Sequence, residues 1–587
     1  MFQNKIFTER HRNAEILILW LISFLLHLAV INHFVGWICT DTAGYWLHAA
    51  TLTGHDWSEV AKCATKYYSW GYSLLLTIPF IIAPDNMIVM SKIAIIINAL
   101  LCSSVFPLLY QIGKKIMDKI DEDIIIICAF ITSIYSSYFL QASVALSEAL
   151  LLFLYVLLIW LILKYLSNQK IKWAVLSGVC CGYMYTVHHR TLGILIAFIV
   201  VLLIMYKRSK NLRELLCFGI PLVLCMWGGV FVEHYLITRE AMGGIYKENT
   251  YGSMMEKLLG MMNIEGILGA IRNVIGAVWY ILVGTLTTAG MGIISCIKRV
   301  ITLGRGNKYG DKSETKSVLY YFIILSLAFS LGISIIAMAG VGSSGNRIDI
   351  IFYGRYFENV LSIFILIGLC ELGCMRRNKM RIKHVILLVW VMISTSMIVY
   401  FFTLMIDGNA VNYFGITAVL GFYSFPNLST YSVLPVSICT IVVMGGLVYL
   451  FWLEGGYKII AYCLMAGCFL YTGYNSVVNV DKHYEYYAHV GNYPTKDEDA
   501  ICMNNYIEQK GIDAFGVYLE GGYDAFSYQL MNPQRKVFAI CSLDEIKKYK
   551  EYITHIIIPK NLMESMNFGN AEIESDNYVI VHLSSAE

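Results

Sequence analysis

Four polar side chains in an apolar chain could do chemistry: Asp41, Glu148, Arg190 and Arg355. Asp41 lies in Ile38-Cys39-Thr40-Asp41-Thr42-Ala43-Gly44-Tyr45, just past the first membrane-length apolar segment. A partly dehydrated carboxylate there can act as a general base. The competing reading is a cap, because Asp before Thr-Ala-Gly-Tyr can open a helix running to about Thr51. Glu148 follows Ala145-Leu146-Ser147 at the start of another apolar run. Acids near a span end cap a helix, pair, or line a wet cavity. Glu148 could orient a substrate or tune Asp41. With Ser147 it could equally cap its helix and favour the positive end of the dipole.

Cations stand in the same kind of position. Arg190 ends His188-His189-Arg190, and Arg355 lies in Tyr353-Gly354-Arg355-Tyr356. The planar guanidinium fork suits phosphate. The plainer reading is interfacial anchoring by Arg and Tyr. Lys62, Lys66 and Arg347 are further cations on the same face. Asp56, in Gly54-His55-Asp56-Trp57-Ser58-Glu59, reads as a turn and cap and is taken as structural. His188-His189 has no second ligand pair at helical or hairpin spacing, so neither a metal nor another cofactor is expected.

The elements that must position these groups are membrane spans. The chain has 587 residues, of which 14% are charged, with a mean hydropathy of +0.61. A soluble protein carries nearer a quarter charged residues. A net charge of +3 is too small to point to nucleic acid. We read about 13 spans of roughly 20 residues each. They lie near 15–38, 88–112, 123–141, 147–166, 172–188, 191–206, 213–237, 272–296, 317–341, 357–374, 383–406, 432–452 and 457–477. The first, after polar residues Met1–Glu15, is expected to stay as a signal-anchor. Segment 71–83 is short and ends in Ala83-Pro84-Asp85-Asn86, so it reads as re-entrant or juxtamembrane. Segment 253–271 has apolar residues at helical spacing and reads as an amphipathic interfacial or packed helix.

Basic clusters fix the sidedness. They fall at Lys5/Arg10/Arg12, Lys114/Lys115/Lys119, Lys164/Lys170/Lys172 and Lys207/Arg208/Lys210/Arg213. Two more are Lys298/Arg299/Arg305/Lys308/Lys312/Lys316 and Arg376/Arg377/Lys379/Arg381/Lys383. With 71–83 not counted as a span, all six land on the N-terminal side, which the positive-inside rule makes cytoplasmic. The first outward loop, 39–87, and the other three polar candidates then face out.

Past residue 480 the composition changes. Asp497–Gln509, Tyr523–Leu530 and Leu543–Tyr552 read as helices. Ala514–Leu519, Lys536–Cys541, Ile553–Pro559 and Tyr578–Leu583 read as strands. This alternation predicts a small α/β domain over 481–587, after a membrane core over 1–480. It has no phosphate-binding glycine loop, and its expected role is to recognise an acceptor or partner. The 16 cysteines lie mostly in apolar segments, although Cys39 with Cys63, or Cys502 with Cys541, could pair.

The order of these features resembles the GT-C superfamily of membrane glycosyltransferases over about residues 15–370. The resemblance rests on an early acid in a long outward loop (Asp41) and an aromatic Gly-Tyr entry, Tyr67-Tyr68-Ser69-Trp70-Gly71-Tyr72. Ser147-Glu148 at the fourth span and Arg355-Tyr356 late in the core complete it. The nearest branches are the bacterial protein-mannosyltransferase-like and aminoarabinose-transferase-like proteins. The chain departs from them at Ser73, where proline is common, and in the two histidines before Arg190. The resemblance implies a multispan GT-C-like core in the plasma membrane, with a cytoplasmic N-terminus and an extracytoplasmic C-terminal domain. It implies an inverting transfer of a sugar from a polyprenyl-phosphate donor to an envelope glycan, lipid or protein. Asp41 would be the base with Glu148 beside it, and Arg355, Arg190, Tyr356, Tyr45, Lys62 and Lys66 would hold substrate and phosphate. Some branches, such as oligosaccharyltransferases, use D-x-D and a divalent ion. No D-x-D occurs in the first outward loop, and Asp121-Glu122-Asp123, which has that pattern, falls on the cytoplasmic side, which implies a metal-independent branch. Two other classes stay open: a transporter or flippase of envelope lipid or polysaccharide, and a non-catalytic envelope-assembly scaffold. Paired repeats and broken mid-membrane helices would mark a transporter, and neither is evident.

Overall fold

The computed structural model describes residues 2–61, 69–238, 254–305, 311–339, 347–375, 379–406, 411–423, 432–453, 456–486, 493–518, 524–566 and 571–583. The protein is a polytopic helical membrane protein with a small C-terminal sheet unit. Among the described residues, eight helices are long and apolar enough to cross a bilayer. A ninth is counted if Glu122–Ser133 and Ser136–Ala142, bent by 48°, form one span. The Ile171–Val187 and Glu358–Gly373 helices, of 17 and 16 residues, are shorter than that set. The apolar segment after Gly71 forms a helix of only 10 residues, Ser73–Ile82, too short to span.

The helices begin where polar side chains can occupy their free amides. Asn86 accepts from the Val89 amide at 3.0 Å and opens Met87–Ile116. Lys114 and Lys115 sit in that helix's last turn, where cations favour the dipole. Asn263 accepts from the Gly266 amide at 2.7 Å and opens Ile264–Gly284. This corrects the single amphipathic helix expected over 253–271. A short helix, Met254–Gly260, ends before Asn263, and residues from Ile264 onward belong to a membrane-length helix. The span expected over 272–296 is also corrected. Leu286 and Thr287 have φ of 47° and 57°, which breaks the helical ladder between Ile264–Gly284 and Thr288–Arg305.

The described parts of the basic clusters share one end of the helical body. Arg12 reaches Asp123 at 2.7 Å, and Lys114 reaches Glu122 at 2.8 Å. Trp160 donates to Gln111 at 2.8 Å, which brings the Lys164 end beside the Lys114 end. Tyr165 donates to Glu214 at 2.7 Å beside Arg213. Arg299 donates to the Ile116 carbonyl at 3.1 Å, and both Arg299 and Arg381 pair with Glu371. The Asp121-Glu122-Asp123 triplet is spent there on a cap and ion pairs.

One helix spans the body between its two polar ends. Glu358–Gly373 begins three residues after Arg355 and carries Glu371 near its other terminus, a length of about 24 Å. It packs on Thr288–Arg305 at backbone contact, where a Cβ on Gly368 would lie 1.8 Å from the Thr288 carbonyl oxygen. Small residues permit such close approach.

The C-terminal unit holds a five-stranded sheet in the order β2-β1-β3-β5-β4. The strands are β1 Ala514–Tyr518, β2 Lys536–Ile540, β3 His555–Pro559, β4 Ala571–Glu574 and β5 Tyr578–His582. The first three pair in parallel and β5 runs antiparallel to both β3 and β4. Four strands and the Glu498–Lys510, Asp524–Met531 and Leu543–Tyr549 helices match the sequence reading to within a few residues. The Lys560–Met566 helix and β4 were not expected. The unit packs on the first outward loop. Trp57, 2% exposed, donates from Nε1 to the Pro533 carbonyl at 3.0 Å. Lys536 bridges to Asp56 at 2.6 Å, and Tyr549 donates to Glu59 at 3.1 Å. Thr495 donates to the Val35 carbonyl at 2.6 Å.

Gly368→Val is expected to lower the melting temperature of the detergent-purified protein, at a cost of about 1–3 kcal/mol or more from overpacking. Gly332→Val, where a Cβ meets nothing within 4 Å, should leave it nearly unchanged. Differential scanning fluorimetry of the two variants reads the difference.

Candidate active site

The four polar residues come together at the end of the body opposite the basic clusters, and they alternate in sign. Arg355 Nη2 lies 2.5 Å from Asp41 Oδ2, while its Nε donates to Glu148 Oε1. The same Glu148 oxygen lies 3.0 Å from Arg190 Nη2. Little solvent reaches this chain of charges: 15% of the Asp41 side chain is exposed, 10% of Arg355, 7% of Glu148 and 5% of Arg190. Desolvating single charges here would cost several kcal/mol each, so each must be answered by an opposite neighbour (roughly this magnitude per ion).

Local structure decides how Asp41 is used. Its helix, Thr40–Leu52, is capped by other groups: the Cys39 amide donates to Thr42 Oγ1 at 2.8 Å, and that hydroxyl donates to the Cys39 carbonyl at 3.1 Å. Asp41 is therefore not the cap, and its carboxylate reaches across to Arg355. Tyr45 stands one turn further on the same helical face. Its hydroxyl donates to Ser147 Oγ at 3.0 Å, so one helix face touches both Arg355 and the residue before Glu148. Ser147 makes no side-chain cap bond to the Glu148–Asn168 helix. Burial, then the Asp41 carboxylate, raises the Cys39 thiol to about 12, which keeps it protonated beside the site. Cys63, its suggested partner, lies outside the described residues, and Cys502 and Cys541 are not bridged.

The aromatic Gly-Tyr entry proves to be a joint. Tyr72 is buried against Tyr45, their rings 5.2 Å apart, and donates to Asn98 at 3.1 Å. The Gly71 amide donates to the Thr186 carbonyl at 2.9 Å, and Tyr183 donates to the Gly71 carbonyl at 2.7 Å. A Cβ on Gly71 would lie 2.7 Å from the Val187 amide nitrogen. This contact holds the turn His188-His189-Arg190 against the first loop. In that turn the Arg190 amide donates to His188 Nδ1 at 3.2 Å. Burial, then the Arg190 and Arg355 charges, holds the His188 pKa well below its ordinary value, so His188 is a neutral acceptor.

Arg355 is held from its own side. The Gly354 amide donates to the Gly415 carbonyl at 2.7 Å. Three residues after Arg355, Glu358 is buried and accepts from four side chains on three other segments. Ser137 donates at 2.8 Å, Gln141 at 2.9 Å and Thr417 at 2.7 Å, with Tyr280 as the fourth donor. Sequence reasoning passed over Glu358, although it opens an apolar run just as Glu148 does. Burial opposes the Arg355 charge, but the Asp41 and Glu148 carboxylates outweigh it and hold its pKa well above the ordinary value. Arg355 therefore stays cationic.

The other candidates lie at varying distance from this centre. Tyr356 is half-buried, its ring centroid 5.8 Å from that of Tyr353. Arg347 turns inward and pairs with buried Asp349, Nη2 to Oδ2 at 2.5 Å. Lys62 and Lys66 lie outside the described residues. Asp56 accepts from the Ser58 amide at 3.1 Å and pairs with Lys536, the structural use expected for it. Among the described residues no three His, Cys, Asp or Glu side chains converge as a metal-binding group. What the arrangement can do is hold an oxyanion on two guanidiniums while keeping a carboxylate within reach of the same place.

No family model matches the chain, and no curated protein matches it. Among solved structures it is similar to ArnT from Cupriavidus metallidurans bound to undecaprenyl phosphate, at 10% identity and a TM-score of 0.49 over 98% of each chain. It is also similar to the oligosaccharyltransferase AglB from Archaeoglobus fulgidus in complex with an inhibitory peptide and a dolichol-phosphate. That match has 12% identity and a TM-score of 0.40, over 94% of this chain and 70% of the other.

Glu148→Leu should destabilise the protein by about 3–5 kcal/mol, because it leaves two buried guanidiniums short of a counter-charge. Glu148→Gln, which keeps an acceptor oxygen, should cost clearly less. Thermal unfolding of both purified variants distinguishes a charge-pairing role from a packing role.

Proposed function

We propose that the protein is a GT-C-like glycosyltransferase that moves a sugar from a polyprenyl-phosphate donor to an acceptor of the cell envelope, with Asp41 as general base. The observation that carries this reading is the Asp41–Arg355 pair, at 2.5 Å, inside a buried cluster of two acids and two arginines. The order of motifs described for the sequence supports the same class. The positive-inside rule puts the cluster on the extracytoplasmic side, where a donor presents its sugar at the interface.

The chemistry follows from what each group can hold. An acceptor hydroxyl attacks the anomeric carbon as the bond from that carbon to the phosphate oxygen breaks. The hydroxyl proton passes to the Asp41 carboxylate, and the electron pair of the broken bond stays on the phosphate. Arg355 and Arg190 take up the growing negative charge, the electrostatic stabilisation such a transfer most needs. Attack opposite the leaving phosphate inverts the anomeric centre. Tyr356, partly exposed and next to Arg355, is the proposed sugar- or phosphate-contacting group, whereas Tyr45, buried and donating to Ser147, would hold the helix that carries Asp41.

Arg355 couples binding to activation. Its Nη2 faces Asp41, and a donor phosphate beside the same nitrogen competes with that carboxylate. When the phosphate takes the guanidinium, Asp41 is released to accept a proton. Glu148 keeps hold of Nε, so the guanidinium stays in place during the exchange. The C-terminal unit packs on the loop that carries Asp41, and its proposed role is to hold that loop and to shape the acceptor side.

Asp41→Asn should abolish transfer, by about 10²-fold or more, without lowering protein abundance. Mass analysis of envelope glycans from cells carrying each form is the check, and unchanged glycans at equal abundance would sink the base assignment. Arg355→Ala should weaken undecaprenyl phosphate binding, read by native mass spectrometry, whereas Asp41→Asn should not weaken it.

A further inference from the structure

The opposite end of the body contains a second polar place that the transfer chemistry does not use. A cavity of about 520 Å³ opens among the ends of Met87–Ile116, Thr288–Arg305, Glu358–Gly373 and Lys379–Leu404. That volume lies within the range of small-molecule sites, roughly 300–1,000 Å³. Its charged lining is Lys119, Lys298, Arg299 and Arg381 against Asp118 and Glu371. Four cations against two acids leave an excess of two positive charges.

The excess sits on particular side chains. Glu371 is fully engaged: Oε1 faces Arg299 at 3.2 Å and Ser295 at 2.9 Å, and Oε2 faces Arg381 at 2.6 Å. Arg299 is further held by the Ile116 carbonyl at 3.1 Å and by Tyr320. These groups form a fixed floor. Lys298 makes its side-chain contact with His384 Nε2, with no acid between them. Among the described residues neither Lys298 nor Lys119 has a carboxylate partner, and both are exposed. Apolar side chains, among them Ile116, Ile120 and Met291, complete the wall. Cationic groups over an apolar wall, at the membrane end that gathers the basic clusters, match an amphiphilic phosphate anion. Each basic residue near an anionic leaflet is worth about 1 kcal/mol of attraction.

We infer that this cavity binds a phosphate-bearing anion, either the headgroup of an anionic phospholipid or a soluble phosphate, gripped by Lys119 and Lys298 above the Arg299–Glu371–Arg381 floor. The site lies at the far terminus of the helix that begins beside Arg355. It is independent of the transfer reaction proposed above and stands or falls without it.

The test uses the full-length protein. One arm compares nanodiscs of phosphatidylcholine with nanodiscs containing phosphatidylglycerol, and a second adds pyrophosphate to detergent-purified protein. The readout is the melting temperature. Wild type should gain about 3 °C or more in at least one arm. A gain with phosphatidylglycerol alone identifies a lipid headgroup, and a gain with pyrophosphate a soluble phosphate. The Lys119→Glu/Lys298→Glu variant should lose most of that gain. Lys115→Glu/Lys383→Glu, which reverses two exposed charges outside the cavity lining, should keep it. No gain in either arm, an equal gain in the first variant, or an equal loss in the second would overturn the inference. An equal loss would mean general surface charge.

Discussion

One buried guanidinium shared between two acids is the constraint on which one end of this helical body depends. Arg355 faces Asp41 through Nη2 and Glu148 through Nε, and Glu148 is shared again with Arg190. These residues come from four separate stretches of chain. None can be buried alone at tolerable cost, because an unpaired ion away from water loses several kcal/mol, an order-of-magnitude figure. The pairing therefore acts as a folding condition as well as a chemical arrangement. The first loop, the turn after Ile171–Val187, the start of Glu148–Asn168 and the approach to Glu358–Gly373 must all arrive in register.

Neutral contacts carry that register. Gly71 lets the first loop touch the backbone of Thr186–Val187, and Tyr72 fills the space under Tyr45. On the far side of Arg355, Glu358 gathers hydroxyl and amide donors from Ser136–Ala142, Ile264–Gly284 and Thr417–Leu420. That acid has neutral partners among the described residues, so it acts as a knot of hydrogen bonds, and removing it would leave several buried donors unpaired. The C-terminal unit adds a third restraint through Trp57, Asp56 and Glu59, all within twenty residues of Asp41. Rigid support of this kind is what a site needs if a displacement of an ångström is to matter.

Much of this was legible in the sequence, and the reasons are physical. Apolar length marks helices, and the C-terminal alternation marked four of the five strands to within a few residues. Residue type and sidedness picked out Asp41, Glu148, Arg190 and Arg355, since charge at a membrane interface is expensive and therefore informative. What sequence could not show was who pairs with whom. Whether Asp41 caps its helix or reaches away turns on Thr42, whose hydroxyl closes the first turn instead. The break at Leu286-Thr287 was hidden because neither residue is a glycine or a proline. Asn263 was the available sign that a helix starts at Ile264, and it stood inside a run whose apolar spacing looked continuous. Glu358 was hidden because its partners are neutral, and hydroxyls in apolar runs carry no pattern.

The two polar ends of the body differ in kind, and the difference is one of charge balance. At the Arg355 end, two acids and two arginines cancel, so the cluster is self-sufficient and can be largely buried. In the transfer proposed above, a donor phosphate would displace a carboxylate from a guanidinium rather than add to a surplus. Binding in the proposed transfer would thus be an exchange that frees the carboxylate. At the Glu371 end the cations lining the cavity outnumber the acids, and the two without carboxylate partners among the described residues are the exposed ones. Water bears their charge at little cost, and the anion inferred above would add to that surplus. A helix of about 24 Å joins the two places. One fold thus holds a charge-balanced cluster at one end of the helical body and an unbalanced one at the other.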